Sequence, residues 1–193
     1  MSDISTPTSS VLQALHQSHA HLTQLRQAFH AWPELGFEET RTAARIATEL
    51  RLLGVPFHEG VGRTGIVGVI EGKETSSGRS VGLRADMDAL ALCELNTFAH
   101  ASQRPGVMHA CGHDGHTAML LGAARYLAQT RAFNGTVYLI FQPAEEGRGG
   151  AQAMLADGLF ERFPADEIYA LHNSPLLPVG TVAGAPGACL SSA

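Results

Sequence analysis

The sequence predicts an α/β domain built on a mixed β-sheet, and three observations predict it. Two amphipathic helical stretches open the chain, short β-branched runs follow, and helix and strand then alternate. Hydrophobic residues make up 45% of the 193 residues and charged residues 16%, a balance that can bury a substantial core and excludes a disordered tail. Asp86, Glu145 and His172 each follow the carboxyl end of a run expected to be a buried strand. In open α/β sheets that edge is where ligands bind.

The elements follow in order. Residues 1–10 are rich in Ser and Thr and are expected to form a flexible N-terminus, with the domain proper over 11–193. Residues 11–32 carry Leu12, Leu15, His19, Leu22, Leu25 and Phe29 on one helical face, and Pro33 ends the helix. Residues 38–53 are a second helix with Ala43, Ala44, Ile46, Ala47, Leu50 and Leu53 as its stripe, stopped by Gly54 and Pro56. Residues 57–71 read as strands turned at Gly60, Gly62 and Gly65, and 80–85 (SVGLRA) as another strand running into Asp86. A loop rich in Gly, Pro and His covers 97–112. A helix follows over 113–130, then a strand over 135–141 (GTVYLIF), a loop to 150, a short helix over 151–159 and a strand over 167–171. No internal repeat or linker interrupts this order.

Composition narrows the function classes. The net charge is -5, from 13 Lys+Arg against 18 Asp+Glu, and Lys73 is the only lysine, so no basic surface for nucleic acid or anionic lipid is expected. No apolar run reaches the roughly 18 residues of a membrane helix, and the start lacks the pattern of a signal peptide. A cytoplasmic protein is expected. The 3 cysteines, Cys93, Cys111 and Cys189, are too few and too odd in number for a disulfide framework. Cys93 and Cys189 are expected to be small buried residues.

The chemistry concentrates in four places. Residues 109–116 (HACGHDGH) hold three histidines, a cysteine and an aspartate, the residue types that bind borderline divalent metals. The paired Glu145 and Glu146 sit just after a core strand, where adjacent carboxylates repel unless a cation or proton lies between them. With a metal present one glutamate can ligate while the other serves as general base. Asp86 and Asp88, at spacing two after a strand, suit the orienting of a ligand histidine. His172 adds a fourth metal-type group at the same edge. His16, His19, His21, His58 and His100 are read as ordinary histidines, and Arg148 as a surface residue.

Four segments in order, FHAWPELGFEET at 29–40, RADMDAL at 84–90, PGVMHACGHDGHT at 105–117 and FQPAEEG at 141–147, resemble the M20 peptidases. The similarity is to the branch of hippurate hydrolases, N-acyl-amino-acid deacylases and auxin-conjugate hydrolases. It implies a zinc-exopeptidase-like catalytic domain, a mixed sheet sandwiched by helices. It also implies that Cys111, His113, Glu146 and His172 are metal ligands for one or two divalent ions (Mn, Zn, Ni or Co). The catalytic residues it implies are Glu145, as general base, and Asp88, in the family's first motif beside the metal centre. The implied reaction is hydrolysis of the amide bond of an N-acyl amino acid by a metal-activated water. Ala91 departs from the family's usual proline.

The resemblance further implies that these residues are the N-terminal portion of the catalytic domain. A lid and dimerisation domain, the last part of the catalytic domain and a final ligand histidine would then lie outside the chain. Whole relatives are expected to be homo-oligomers through the lid. The alternative is a catalytically inactive fragment that binds metal or only oligomerises.

Overall fold

A computed structural model describes residues 7–184. Its elements are α1 (Pro7–Ala31), α2 (Thr40–Leu52), β1 (Phe57–Val61), β2 (Gly65–Glu71), β3 (Ser80–Asp86), α3 (His113–Thr130), β4 (Thr136–Gln142), α4 (Gly150–Ala156), α5 (Leu159–Arg162) and β5 (Glu167–Ala170). The expected order of elements is the observed one up to β4, after which one expected helix is replaced by two before β5. Helix α1 begins at Pro7, four residues before the expected start. The rest of the stretch expected to be flexible, 1–6, lies outside the described residues, as does Cys189.

The five strands form one mixed sheet in the order β1-β2-β4-β3-β5. β1 pairs with β2 and β2 with β4 antiparallel, whereas β3 runs parallel to both β4 and β5. The sequence reason is connection length. A tight turn through Gly62 and Arg63 joins β1 to β2, and helices carry the chain between the parallel strands. The three parallel strands therefore end at one edge, with Asp86 directly opposite Gln142.

Strand alternation gives the sheet two buried faces. Ile66, Ile70, Ala85, Leu139 and Phe141 pack against Leu25 and Phe29 of α1, Ile46 and Leu50 of α2, and Leu121 and Ala124 of α3. Val67 and Ile140 point the other way, onto Met154, Leu159 and Phe163. Helices thus cover both faces. Each fully buried side chain of this kind contributes about 1.5–3 kcal/mol, so the larger cluster is the main anchor of the edge that carries the site.

Four local expectations need correction. The helix expected over 151–159 is two helices, α4 and α5, because Gly158 adopts φ 75 between them. The last strand is not buried: among the described residues β5 is an edge strand exposed along its length, flanked there by β3 alone. Leu12, placed on one face of the first helix with Leu25 and Phe29, is exposed, whereas those two are buried. Cys93 is exposed rather than buried, on the loop that runs over the surface after β3.

Candidate metal centre

The parallel edge gathers side chains from four segments. Asp86 ends β3, and Asp88 lies two residues on. Cys111 sits in the turn before α3, and His113 and His116 lie on the first turn of α3. Glu145 and Glu146 follow β4, and His172 follows β5. Gly112 makes the turn between Cys111 and His113 possible. Its φ of 88 is left-handed, and a Cβ there would stand 2.4 Å from Asn173 Oδ1.

His113 is the hub, fully buried at the centre. It shares three groups of converging donor atoms: with Cys111 and His172, with Asp86 and His116, and with Glu145 and Glu146. Within each group one ligand atom per residue lies within 4.8 Å of the others. His113 Nδ1–H donates to Asp88 Oδ1 at 3.2 Å, which turns Nε2 toward the edge. There Nε2 faces Asp86 Oδ2 at 3.6 Å, Glu146 Oε1 at 3.7 Å and Glu145 Oε2 at 3.9 Å. The other oxygen of Asp88 accepts the Glu146 backbone N–H at 3.0 Å. One buried carboxylate thus fixes a histidine ring and the glutamate loop together.

The second half of the edge is tied by a chain of bonds. His116 Nδ1–H donates to Asp86 Oδ1 at 2.7 Å, and Arg84 Nη1 donates to Asp86 Oδ2 at 2.7 Å. His116 Nε2 accepts the Asn173 backbone N–H at 3.0 Å. His172 Nδ1–H donates to the Asn173 carbonyl at 2.7 Å, leaving Nε2 toward Cys111 Sγ at 3.4 Å.

The electrostatics ask for a cation. Burial opposes ionisation of Asp86, but His116, Arg84 and His113 overcome it and lower its pKa to about 2. Burial likewise opposes a charged His113, while Asp88, Asp86 and Glu146 hold its pKa above the usual value. Burial and the carboxylates of Glu146, Asp86 and Glu145 push the Cys111 thiol up to about 12. A thiol in that position becomes a thiolate ligand only when a metal offsets the surrounding negative charge.

The donor set fits such an ion on a second, geometric ground. Among the described residues, His113 Nε2 and Glu146 Oε1 are buried with no hydrogen-bond partner, and they face each other. Buried polar atoms without partners are uncommon and call for an explanation. A divalent ion accepting both gives one, and the imidazole, thiolate and carboxylate mixture suits a borderline metal.

The structure thus brings Cys111, His113, Glu146, His172 and Glu145 to one place, with Asp88 bracing them from below. Sequence reasoning left His116 and Asn173 without a role. His116 stands one helical turn after His113, and that spacing was the available signal. His109, in the same motif, is buried with both ring nitrogens unpartnered, and burial lowers its pKa to about 4. It joins none of the donor groups.

Comparisons with known proteins agree with this geometry. The profile of peptidase family M20/M25/M40 matches residues 82–187. A hippurate hydrolase of Campylobacter jejuni is 51% identical over 152 residues, covering 79% of this chain and 39% of the relative. An N-acetyldiaminopimelate deacetylase of Exiguobacterium sibiricum is 40% identical over 88% of this chain and 45% of its own length. The crystal structure of the Bacillus subtilis YXEP protein, described as a dinuclear metal binding peptidase from the M20 family, superposes with a TM-score of 0.80. It is 40% identical, covering 86% of this chain and 46% of that one. The chain spans less than half the length of these relatives.

Proposed function

The chain belongs to peptidase family M20/M25/M40, and from that premise we propose that it carries the metal-holding edge of an amidohydrolase acting on N-acyl amino acids. The reaction is RCO–NHR′ + H2O → RCOOH + H2NR′. Cys111, His113, Glu146 and His172 would hold one or two divalent ions. When bound, these polarise the acyl carbonyl and make water a competent nucleophile at neutral pH. The observation that carries this reading is the pair of buried, unpartnered atoms His113 Nε2 and Glu146 Oε1, 3.7 Å apart.

The residues divide the work by exposure. Glu146 is the more buried glutamate, and Asp88 ties its backbone down. Glu145 stands beside it with its side chain 40% exposed, free to meet substrate. Glu145 would take a proton from the attacking water on a carboxylate oxygen and deliver that proton to the leaving amine nitrogen as the C–N bond breaks. Asp88 would not touch the substrate; it keeps His113 in the tautomer whose Nε2 is available to an ion. N-acyl amino acids are the proposed substrates, in keeping with the hippurate hydrolase and deacetylase relatives.

Glu145→Gln tests the assignment of the base. With N-benzoylglycine and N-acetyl amino acids as substrates and manganese or zinc supplied, hydrolysis should fall by roughly 10²–10⁴-fold. Bound metal should stay. Turnover retained in Glu145→Gln would remove Glu145 from the role. Metal bound by the native chain without any turnover would favour a binding fragment over an enzyme.

A further inference from the structure

The segment 33–40 (PELGFEET) takes no part in the chemistry above, yet it lies directly beneath it. Leu35 forms a β-bridge with Ala89, and Ala89 N–H donates to the Glu34 carbonyl at 2.8 Å, next to Asp88. On the other side, Arg148 Nη1 donates to the Gly36 carbonyl at 3.0 Å. A Cβ at Gly36 would stand 2.9 Å from Ala144 Cα, so the segment and the glutamate loop touch backbone to backbone.

Glu39 is the centre of this contact. It is fully buried and stands at the N-cap of α2, where a carboxylate would normally bond the first helical N–H groups. It makes no such bond. Glu34 does that work instead, accepting from Thr42 N–H at 2.8 Å and Arg41 N–H at 3.1 Å. The Glu39 carboxylate reaches across the fold: one oxygen accepts the Thr64 hydroxyl at 2.5 Å, and the other accepts the Ala144 backbone N–H at 2.8 Å. Ala144 needs such a partner. It is a fully buried non-glycine residue held at φ 50, left-handed backbone that persists only where the surroundings enforce it. Residues 145 and 146 leave directly from that bend.

We infer that Glu39 is a positioning residue for the proposed metal centre: by holding the Ala144 N–H it fixes the bend that aims Glu145 and Glu146 at His113. The inference rests on the roles given to those two glutamates above. The Glu39 carboxylate needs only to accept a bond there, not to be charged. Burial raises its pKa, consistent with a group that works as an acceptor in either protonation state.

The test is zinc(II) affinity of the full chain, measured by competition with a chromophoric chelator, with thermal melting in excess chelator recorded alongside. Glu39→Leu keeps the bulk and removes the acceptor; it should weaken zinc(II) binding by roughly 10–100-fold. Glu39→Gln retains an oxygen for the Ala144 N–H and should bind zinc(II) as the native chain does. A merely structural Glu39 would lower the melting temperature of the variants and leave the affinity of the folded chain unmoved. Native affinity in Glu39→Leu, or equal losses in the two variants, would overturn the inference. If Glu39→Leu does not fold, amide exchange in the native full chain decides. The Ala144 amide should be strongly protected, and free exchange there would overturn the inference. A native chain that binds no zinc(II) would overturn the metal reading itself. Intact affinity in every variant would overturn only the role of Glu39.

Discussion

The buried His30 is paired to carboxylates on both ring nitrogens. His30 Nδ1 lies 2.9 Å from Asp114 Oδ2, and His30 Nε2 lies 3.1 Å from Glu94 Oε1. Arg26 shares Asp114 at 3.0 Å, while His100 and His109 face the ring without bonding it. The Asp114 bond, aided by Glu94 and only partly opposed by burial, raises the His30 pKa above its usual value. Because the folded value is the higher one, the stabilisation is complete below the unfolded pKa of about 6.5. It is lost as pH rises through the folded value. His30→Gln should therefore destabilise the metal-free chain by roughly 1.5–3 kcal/mol at mildly acidic pH. The gap to the native chain should narrow as pH rises, in denaturant melts recorded across that range. A gap independent of pH would mean that His30 is not charged in the fold.

Residue-scale legibility followed chemistry. Cys111, His113, Glu145, Glu146 and His172 could be read together because their residue types bind metals, because the glutamates and His172 follow strands, and because the resemblance to the M20 peptidases implies roles for these five. Glu39 could not. Its burial depends on Thr64 and Ala144, which lie 25 and 105 residues away, and on a neighbouring glutamate taking over the cap. Nothing in local spacing distinguishes it from Glu38.

Among the elements, α2 shows how a cap can come from outside the helix. Glu34 accepts two backbone N–H groups of the first turn and the Thr42 hydroxyl at 2.9 Å. Glu34→Ala should cost about 0.5–2 kcal/mol, read as a lower unfolding midpoint with an unchanged denaturant slope. No loss would show that Thr40 and solvent satisfy the turn unaided. α3 was legible to the residue, because its apolar period is long and Gly112 marks its start. The break between α4 and α5 was not. Gly158 sits inside an apolar pattern, and only its left-handed backbone shows that the helix stops. The exposure of β5 was also invisible. EIYAL reads as a buried strand, but burial is set by what stands beside it, and among the described residues only β3 does.

At the scale of the whole molecule, strand direction makes the site. β3, β4 and β5 are parallel, so three loops far apart in sequence bring donor atoms within 4.8 Å of one histidine's. The sequence order of strands and helices was enough to expect that edge. It could not supply the sheet order, in which β4 inserts between β2 and β3. Apolar side chains flank β5 on both faces, with Tyr169, Leu171 and Met119 exposed on one and Ile168, Leu155 and Phe160 on the other. No helix among the described residues is long and apolar enough to cross a membrane.

The measurement that tests the central claim most directly is divalent metal content of the full chain by elemental analysis after dialysis, taken beside His113→Ala and Glu145→Gln. If the parallel edge holds an ion through His113, the native chain and Glu145→Gln should retain manganese or zinc and His113→Ala should lose it. A native chain that dialyses free of metal, or a His113→Ala variant that retains as much as the native chain, would contradict the account.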